Sequence, residues 1–117
     1  MHEISLVQHI LCILEDEFPD RVHQIIRIHL KAGLLSNVQP ILMQNAFAAV
    51  MEHEPKYSKI ILEIEVLPVL IHCEDCNLTS QVKAYRFICA CGKPSKNIVQ
   101  GEELMISQVE FDDMILP

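Results

Sequence analysis

Two groups of residues in this 117-residue chain have the types and spacing for metal chemistry. The first is the opening Met1-His2-Glu3. A free α-amine, the amide nitrogen of His2, its imidazole and the amide nitrogen of Glu3 can present four nitrogens in one plane. Square-planar nitrogen ligation suits Ni(II) or Cu(II) and does not suit Mg(II) or Ca(II). A helix starting nearby helps, because its first N–H groups have no intrahelical acceptor and can be metallated without breaking the ladder. Taken alone, this opening has a blander reading, in which His2 is a solvated residue near a terminus.

The second group is Cys73-Glu74-Asp75-Cys76 with Cys89-Ala90-Cys91. A Cys-x-x-Cys pair lets two thiolates reach one tetrahedral ion from a tight turn, and a second pair completes four-coordination. Twelve residues separate Cys76 from Cys89, and the stretch from Leu78 to Phe87 has room for two short strands, as in a zinc ribbon. The second pair has a single intervening residue, so the adjacent His72 competes with Cys91 as fourth ligand. Reduced cysteines without metal are disfavoured, because about 30 residues of low apolar content cannot bury enough surface to fold alone. A closed four-thiolate site makes the zinc structural and not catalytic. The fifth cysteine, Cys12, reads as a small buried hydrophobe.

Composition limits the remaining choices. The net charge of −7 argues against nucleic acid, which requires a basic face. No stretch approaches the ~18 apolar residues of a membrane span. The first residues lack a basic segment followed by an apolar one, so no secretory signal is expected and the chain reads as cytoplasmic. Thiols are reduced there, and clustered cysteines are more often metal ligands than disulfides. Half the residues are hydrophobic, with four Phe, two Tyr and no Trp, so the core is aliphatic.

The elements that must position both groups follow from periodicity. Leu6, Val7, Ile10, Leu11, Leu14 and Phe18 recur at helical spacing over residues 4–18, and Pro19 stops the helix. Residues 22–31 alternate as a strand, with Val22, Ile26, Ile28 and Leu30 opposite His23, Arg27, His29 and Lys31. Ser36 and Asn37 offer capping oxygens for a second helix from about Pro40 to Glu52, with Leu42, Phe47, Val50 and Met51 among its buried residues and Pro55 beyond its end. Residues 59–67 form a strand with Ile60, Leu62, Ile64 and Val66 on one face and Glu63 and Glu65 on the other. A last strand covers about 103–111. The expected fold is α+β: two helices packed on a small sheet of about three strands, with an inserted zinc-ribbon-like module. The larger domain takes residues 1–68 and 102–117, and the module takes 69–101. Pro68 and Gly101 are its natural hinges.

Beyond these readings, the chain resembles the HypA family of hydrogenase-maturation nickel chaperones. The resemblance rests on Met1-His2-Glu3-Ile4-Ser5-Leu6 and on Ile26-Arg27-Ile28-His29-Leu30, with Gly33 and Ser36 after it. It continues through Pro40, Ala46-Phe47 and Cys73/Cys76 to Gly101-Glu102-Glu103-Leu104, Ile106 and Val109-Glu110. It implies Ni(II) as transient cargo at Met1, His2 and Glu3, and structural Zn(II) on Cys73, Cys76, Cys89 and Cys91. It also implies a nickel-handling GTPase partner of the HypB type and delivery to the large subunit of a [NiFe]-hydrogenase, or sometimes to urease. Homodimer formation is left open. Two departures stand out. The second cysteine pair is one residue short, and Gln39-Pro40-Ile41 stands where relatives commonly carry acids beside the proline. Both leave room for a second reading, a zinc-ribbon adaptor of the same fold that no longer delivers nickel.

The other polar residues read as structural. His9 is roughly 10 Å along the helix axis from His2. His23 and His29 are solvated or sheet-packed, and His53 complements the end of the second helix. Glu63 and Glu65 lack a nucleophile or base beside them, so no enzyme site emerges and no catalysis is expected.

Overall fold

The computed structural model describes residues 3–54 and 60–112. Its order is α1 (Glu3–Glu17), β1 (Ile25–Gly33), α2 (Pro40–Glu52), β2 (Ile61–Leu67), β3 (Leu70–Cys73), β4 (Leu78–Gln81), β5 (Ile98–Gln100) and β6 (Leu104–Phe111). The strands form two three-stranded sheets, in the orders β2-β1-β6 and β4-β3-β5. The chain divides into two compact units. One holds Met1–Leu30, Val38–Ile64 and Ile106–Pro117, and the other holds Lys31–Asn37 and Glu65–Met105.

The first unit is two helices on one face of a sheet. Val7, Ile10, Leu11 and Leu14 are buried from α1, and Met43, Ala46 and Phe47 from α2. They meet Ile28 and Leu30 of β1 and Leu62 of β2 in one aliphatic cluster. Each fully buried side chain of this size stabilises the fold by about 2 kcal/mol relative to exposure. The α1 stripe agrees with the expected periodicity. On α2 the expected Leu42 is 44 % exposed and Met43 is buried in its place. The α2 stripe therefore runs through 43, 46, 47 and 50, one position on from the expected start.

Three further local expectations need correction. Val22–Gln24 form a single 3-10 turn, and the strand begins only at Ile25, which is buried while Ile26 is exposed. The alternation was therefore legible only from Arg27 onward. Ser36 and Asn37 do not cap α2. The capping position is Gln39, whose side chain makes no capping bond, and Pro40 opens the helix. Asn37 instead takes a left-handed φ of 65°. Cys12 is exposed, because it lies off the 7-10-11-14 stripe. Pro55 and the first residue of the expected 59–67 strand lie outside the described residues.

The second unit carries the cysteines. β3 pairs antiparallel with β4, Cys73 opposite Leu78, and with β5 on its other side. Val69, Ile71 and Val82 form its small core, with Leu35, Phe87 and Ile98 packed on them. Residues 31–37 belong here through backbone bonds. The Gly33 N–H donates to the Glu103 carbonyl, that of Leu34 to Leu67 and that of Leu35 to Gly101. Gly33 is required by close approach. A Cβ there would lie 2.1 Å from the Gly101 carbonyl carbon.

Between β4 and β5 the chain has isolated bridges in place of a second strand pair, Lys83 with Arg86 and Ile88 with Pro94. The Arg86 N–H donates to the Lys83 carbonyl across a turn whose central residues, Ala84 and Tyr85, have φ of 54° and 57°. Two positive φ values in succession mark a type I′ turn, which ordinarily takes Asn-Gly or Asp-Gly. An L-residue with a Cβ costs about 1–2 kcal/mol in this region.

Candidate metal centres

The cysteine site is assembled from two tight turns. Cys73 ends β3, and the Asn77 N–H returns to its carbonyl, with Asn77 at a φ of 58° that asparagine tolerates. Cys89 and Cys91 flank a second turn, closed by the Gly92 N–H on the Cys89 carbonyl, with Gly92 at a φ of 94°. The four sulfurs of Cys73, Cys76, Cys89 and Cys91 all lie within 4.8 Å of one another. Cys73 Sγ is 3.8 Å from Cys91 Sγ, and Cys76 Sγ is 3.3 Å from Cys89 Sγ. Four thiolates at about 2.3 Å from one zinc stand about 3.8 Å apart, so the donor set fits that ion. All five cysteines are free thiols. His72 is not in the cluster, and its Nδ1 lies 3.2 Å from Thr79 Oγ1.

The surroundings already favour charge on one sulfur. Cys89 Sγ accepts from the Cys91 N–H at 3.5 Å and from the Ser80 hydroxyl at 3.8 Å. The Cys91 amide, then the Cys76 thiol, lower the Cys89 thiol to about 6. The same thiol contact, helped by desolvation, pushes Cys76 up to about 12. One proton shared by the pair explains both directions: Cys76 keeps it and Cys89 is the thiolate. Glu74 and Asp75, between the first two cysteines, are exposed, and Asp75 pairs with Lys93 at 3.5 Å.

Of the N-terminal group, Met1 and His2 lie outside the described residues. Glu3 is the first residue of α1 and is half-buried. With Ile4 and Ser5 it lines a cleft of about 570 Å³ whose other wall is Leu42, Asn45, Ala46 and Ala49 of α2. The first turn of α2 carries no acid. His9 and His23 are exposed on their own elements.

One charged cluster was missed from sequence. Arg27 and His29, two apart on β1, share a face with Glu63 of β2 and Glu110 of β6. Arg27 Nη1 donates to Glu110 Oε2 at 3.3 Å, and Arg27 Nε lies 3.4 Å from Glu63 Oε1. The His29 ring reaches Glu63 through Nδ1 at 3.3 Å and Glu110 through Nε2. The His29 hydrogen bond, with the Arg27 charge behind it, holds the Glu110 carboxyl below the ordinary carboxylate range. The signal available was the Arg-x-His spacing opposite acids on two other strands. Without strand order, nothing said that they were neighbours.

A family model described as "Hydrogenase/urease nickel incorporation, metallochaperone, hypA" matches residues 1–111. The chain is 30 % identical over 115 residues to the hydrogenase maturation factor HypA of Aquifex aeolicus, covering 96 % of this chain and 98 % of the relative. It is 33 % identical over 112 residues to that of Moorella thermoacetica, covering 94 % and 98 %. Among solved structures it is similar to the Ni metallochaperone HypA from Helicobacter pylori, with a TM-score of 0.64, 26 % identity, and 95 % and 97 % of the two chains covered. A second HypA solution structure gives a TM-score of 0.68 at 28 % identity, covering 96 % and 97 %.

Proposed function

The chain belongs to the HypA family, and we propose that it carries nickel on a backbone-and-imidazole site at its own N-terminus. It is a nickel metallochaperone of hydrogenase maturation with a four-cysteine site suited to structural zinc. The observation that carries the nickel site is the start of α1 at Glu3. The N–H groups of that first turn have no intrahelical acceptor. The amide nitrogens of His2 and Glu3 can therefore lose their protons to a metal at no cost to the helix. The Met1 α-amine and the His2 imidazole complete a plane of four nitrogens, the donor set that suits Ni(II). The Glu3 carboxylate beside the cleft adds negative charge near the cation.

Zinc on Cys73, Cys76, Cys89 and Cys91 would tie the two turns together and leave no open coordination position. The chain's own groups prepare that set: the Cys91 amide and the Ser80 hydroxyl hold Cys89 as the thiolate. Nothing in this scheme is catalytic. The protein holds its cargo at moderate affinity, because an ion bound too tightly cannot be passed on. The recipients we assign are a nickel-handling GTPase of the HypB type and the large subunit of a [NiFe]-hydrogenase, reached in the cytoplasm. No helix among the described residues is long and apolar enough to cross a membrane.

Calorimetry with Ni(II) decides this reading. Untagged protein should bind, whereas His2→Ala and an N-terminally extended form should not, with zinc content unchanged in all three. Equal binding by all three would move nickel away from the N-terminus. No binding by any would favour the adaptor reading, for which the acid-free first turn of α2 is the specific support.

A further inference from the structure

Residues 78–97 hold four cations, Lys83, Arg86, Lys93 and Lys96, and no acid, in a chain of net charge −7. Lys93 is paired with Asp75. Among the described residues, Lys83 and Arg86 have no acidic partner. These two cations are the corners of the type I′ turn, and between them Tyr85 is 68 % exposed. Ala84 and Tyr85 are the only described residues other than glycine and asparagine with positive φ. Packing does not account for the tyrosine, because its ring is largely in solvent. Local backbone preference opposes it, because the turn favours Asn-Gly. Neither packing nor turn preference therefore explains a tyrosine at this position.

We propose that the Lys83–Arg86 turn is a docking tip for a short acidic peptide segment of a partner protein. Lys83 and Arg86 are paired across the base of the turn, and the exposed Tyr85 lies between them in the chain. That pattern matches carboxylates spaced around an apolar residue, with the ring packing on the residue between them. The guanidinium takes a carboxylate in two parallel hydrogen bonds, which fixes the register of the segment. A short peptide fits better than a polyanion. Only two unpaired cations stand on the turn, and a long phosphate polymer gains its affinity from many such contacts. The acids elsewhere on the chain would repel it. This surface goes beyond nickel binding and does not depend on the N-terminal site.

The test uses the full-length, zinc-loaded protein and fluorescence anisotropy with a fluorescein-labelled pentapeptide of four glutamates around a central leucine. Binding should weaken as salt rises. Lys83→Glu with Arg86→Glu should lower affinity about tenfold or more, because like charges then face the peptide. Tyr85→Gly should weaken it roughly fivefold through loss of the ring. The paired change Ala84→Asn with Tyr85→Gly installs the favoured turn sequence. It should raise the thermal midpoint and zinc retention while losing peptide affinity, which separates docking from folding. Equal peptide binding by wild type and the double charge reversal would overturn the proposal. So would tighter, turn-dependent binding of an oligothymidine strand or of phosphatidylserine vesicles, since the surface would then serve a polyanion or a membrane.

Discussion

Cys73 Sγ stands 3.8 Å from Cys91 Sγ, the two sulfurs coming from opposite cysteine pairs. That separation is the edge of a tetrahedron whose corners lie about 2.3 Å from its centre, the bond length of zinc to thiolate. The missing residue in the second pair thus leaves Cys91 within reach. Protein purified without added metal should contain about one zinc per chain. Cys73→Ser and Cys91→Ser should each lose it, and His72→Ala should retain it, as read by elemental analysis. Zinc lost from His72→Ala and kept by Cys91→Ser would make the fourth ligand an imidazole.

Proton release gives a second check on the same sulfurs. Cys89, lowered to about 6 chiefly by the Cys91 amide, is already the thiolate at neutral pH, whereas Cys76 is pushed up to about 12 and holds its proton. From this pair, zinc binding at pH 7 should therefore expel about one proton and not two. Calorimetry in buffers of different ionisation enthalpy measures that number. Affinity should fall as pH drops, and steepen its fall below about 6, where Cys89 also has to be deprotonated by the metal. A release that does not fall by about one proton in Cys76→Ser, or that falls by a further proton in Cys89→Ser, would show that Cys89 is an ordinary thiol.

How much of this was legible in sequence depended on whether the signal was local. The α1 stripe of Val7, Ile10, Leu11 and Leu14 needed only helical periodicity, and Pro40 and Glu52 bounded α2 as read. The cysteine spacing showed a metal cluster because a Cys-x-x-Cys turn is itself local. Ile25 and the Val22–Gln24 turn were missed because an apolar Val22 beside a polar His23 continues the alternation of the strand whether or not the chain has yet joined the sheet. The association of Arg27 and His29 with Glu63 and Glu110 was invisible because strand order is non-local. Gly33 could be flagged as a break. Its real constraint, the Gly101 backbone 68 positions later, could not be seen.

That constraint makes Gly33→Ala a severe change. The new methyl would lie 2.1 Å from both the carbon and the oxygen of the Gly101 carbonyl, and these are backbone atoms that cannot turn aside. The Gly33 N–H bond to Glu103 and the Leu35 N–H bond to Gly101 would have to move with them. A cost of about 3 kcal/mol or more is expected. Chemical denaturation should show the loss, together with weaker zinc retention, since these bonds hold the cysteine-bearing unit. Gly92→Ala is the contrast. It has open space around it and only its φ of 94° to oppose the change, so its cost should be smaller.

The Glu110 cluster makes the last prediction, a dependence of stability on acid. In the folded protein the His29 hydrogen bond, and then Arg27, hold the Glu110 carboxyl below its ordinary 4.5. A carboxyl depressed in this way stabilises the fold above its unfolded value, and that contribution is lost as pH falls through the folded value. Glu110→Gln should therefore lower the thermal midpoint at pH 7. The gap to wild type should close progressively below about 4.5, as Glu110 itself becomes protonated. His29→Gln should produce a smaller version of the same curve, because Arg27 still faces Glu110 at 3.3 Å. Midpoints measured by circular dichroism from neutral to acid pH test both. A Glu110→Gln deficit that stayed constant across the whole range would mean that the side chain acts by packing and that its charge contributes nothing.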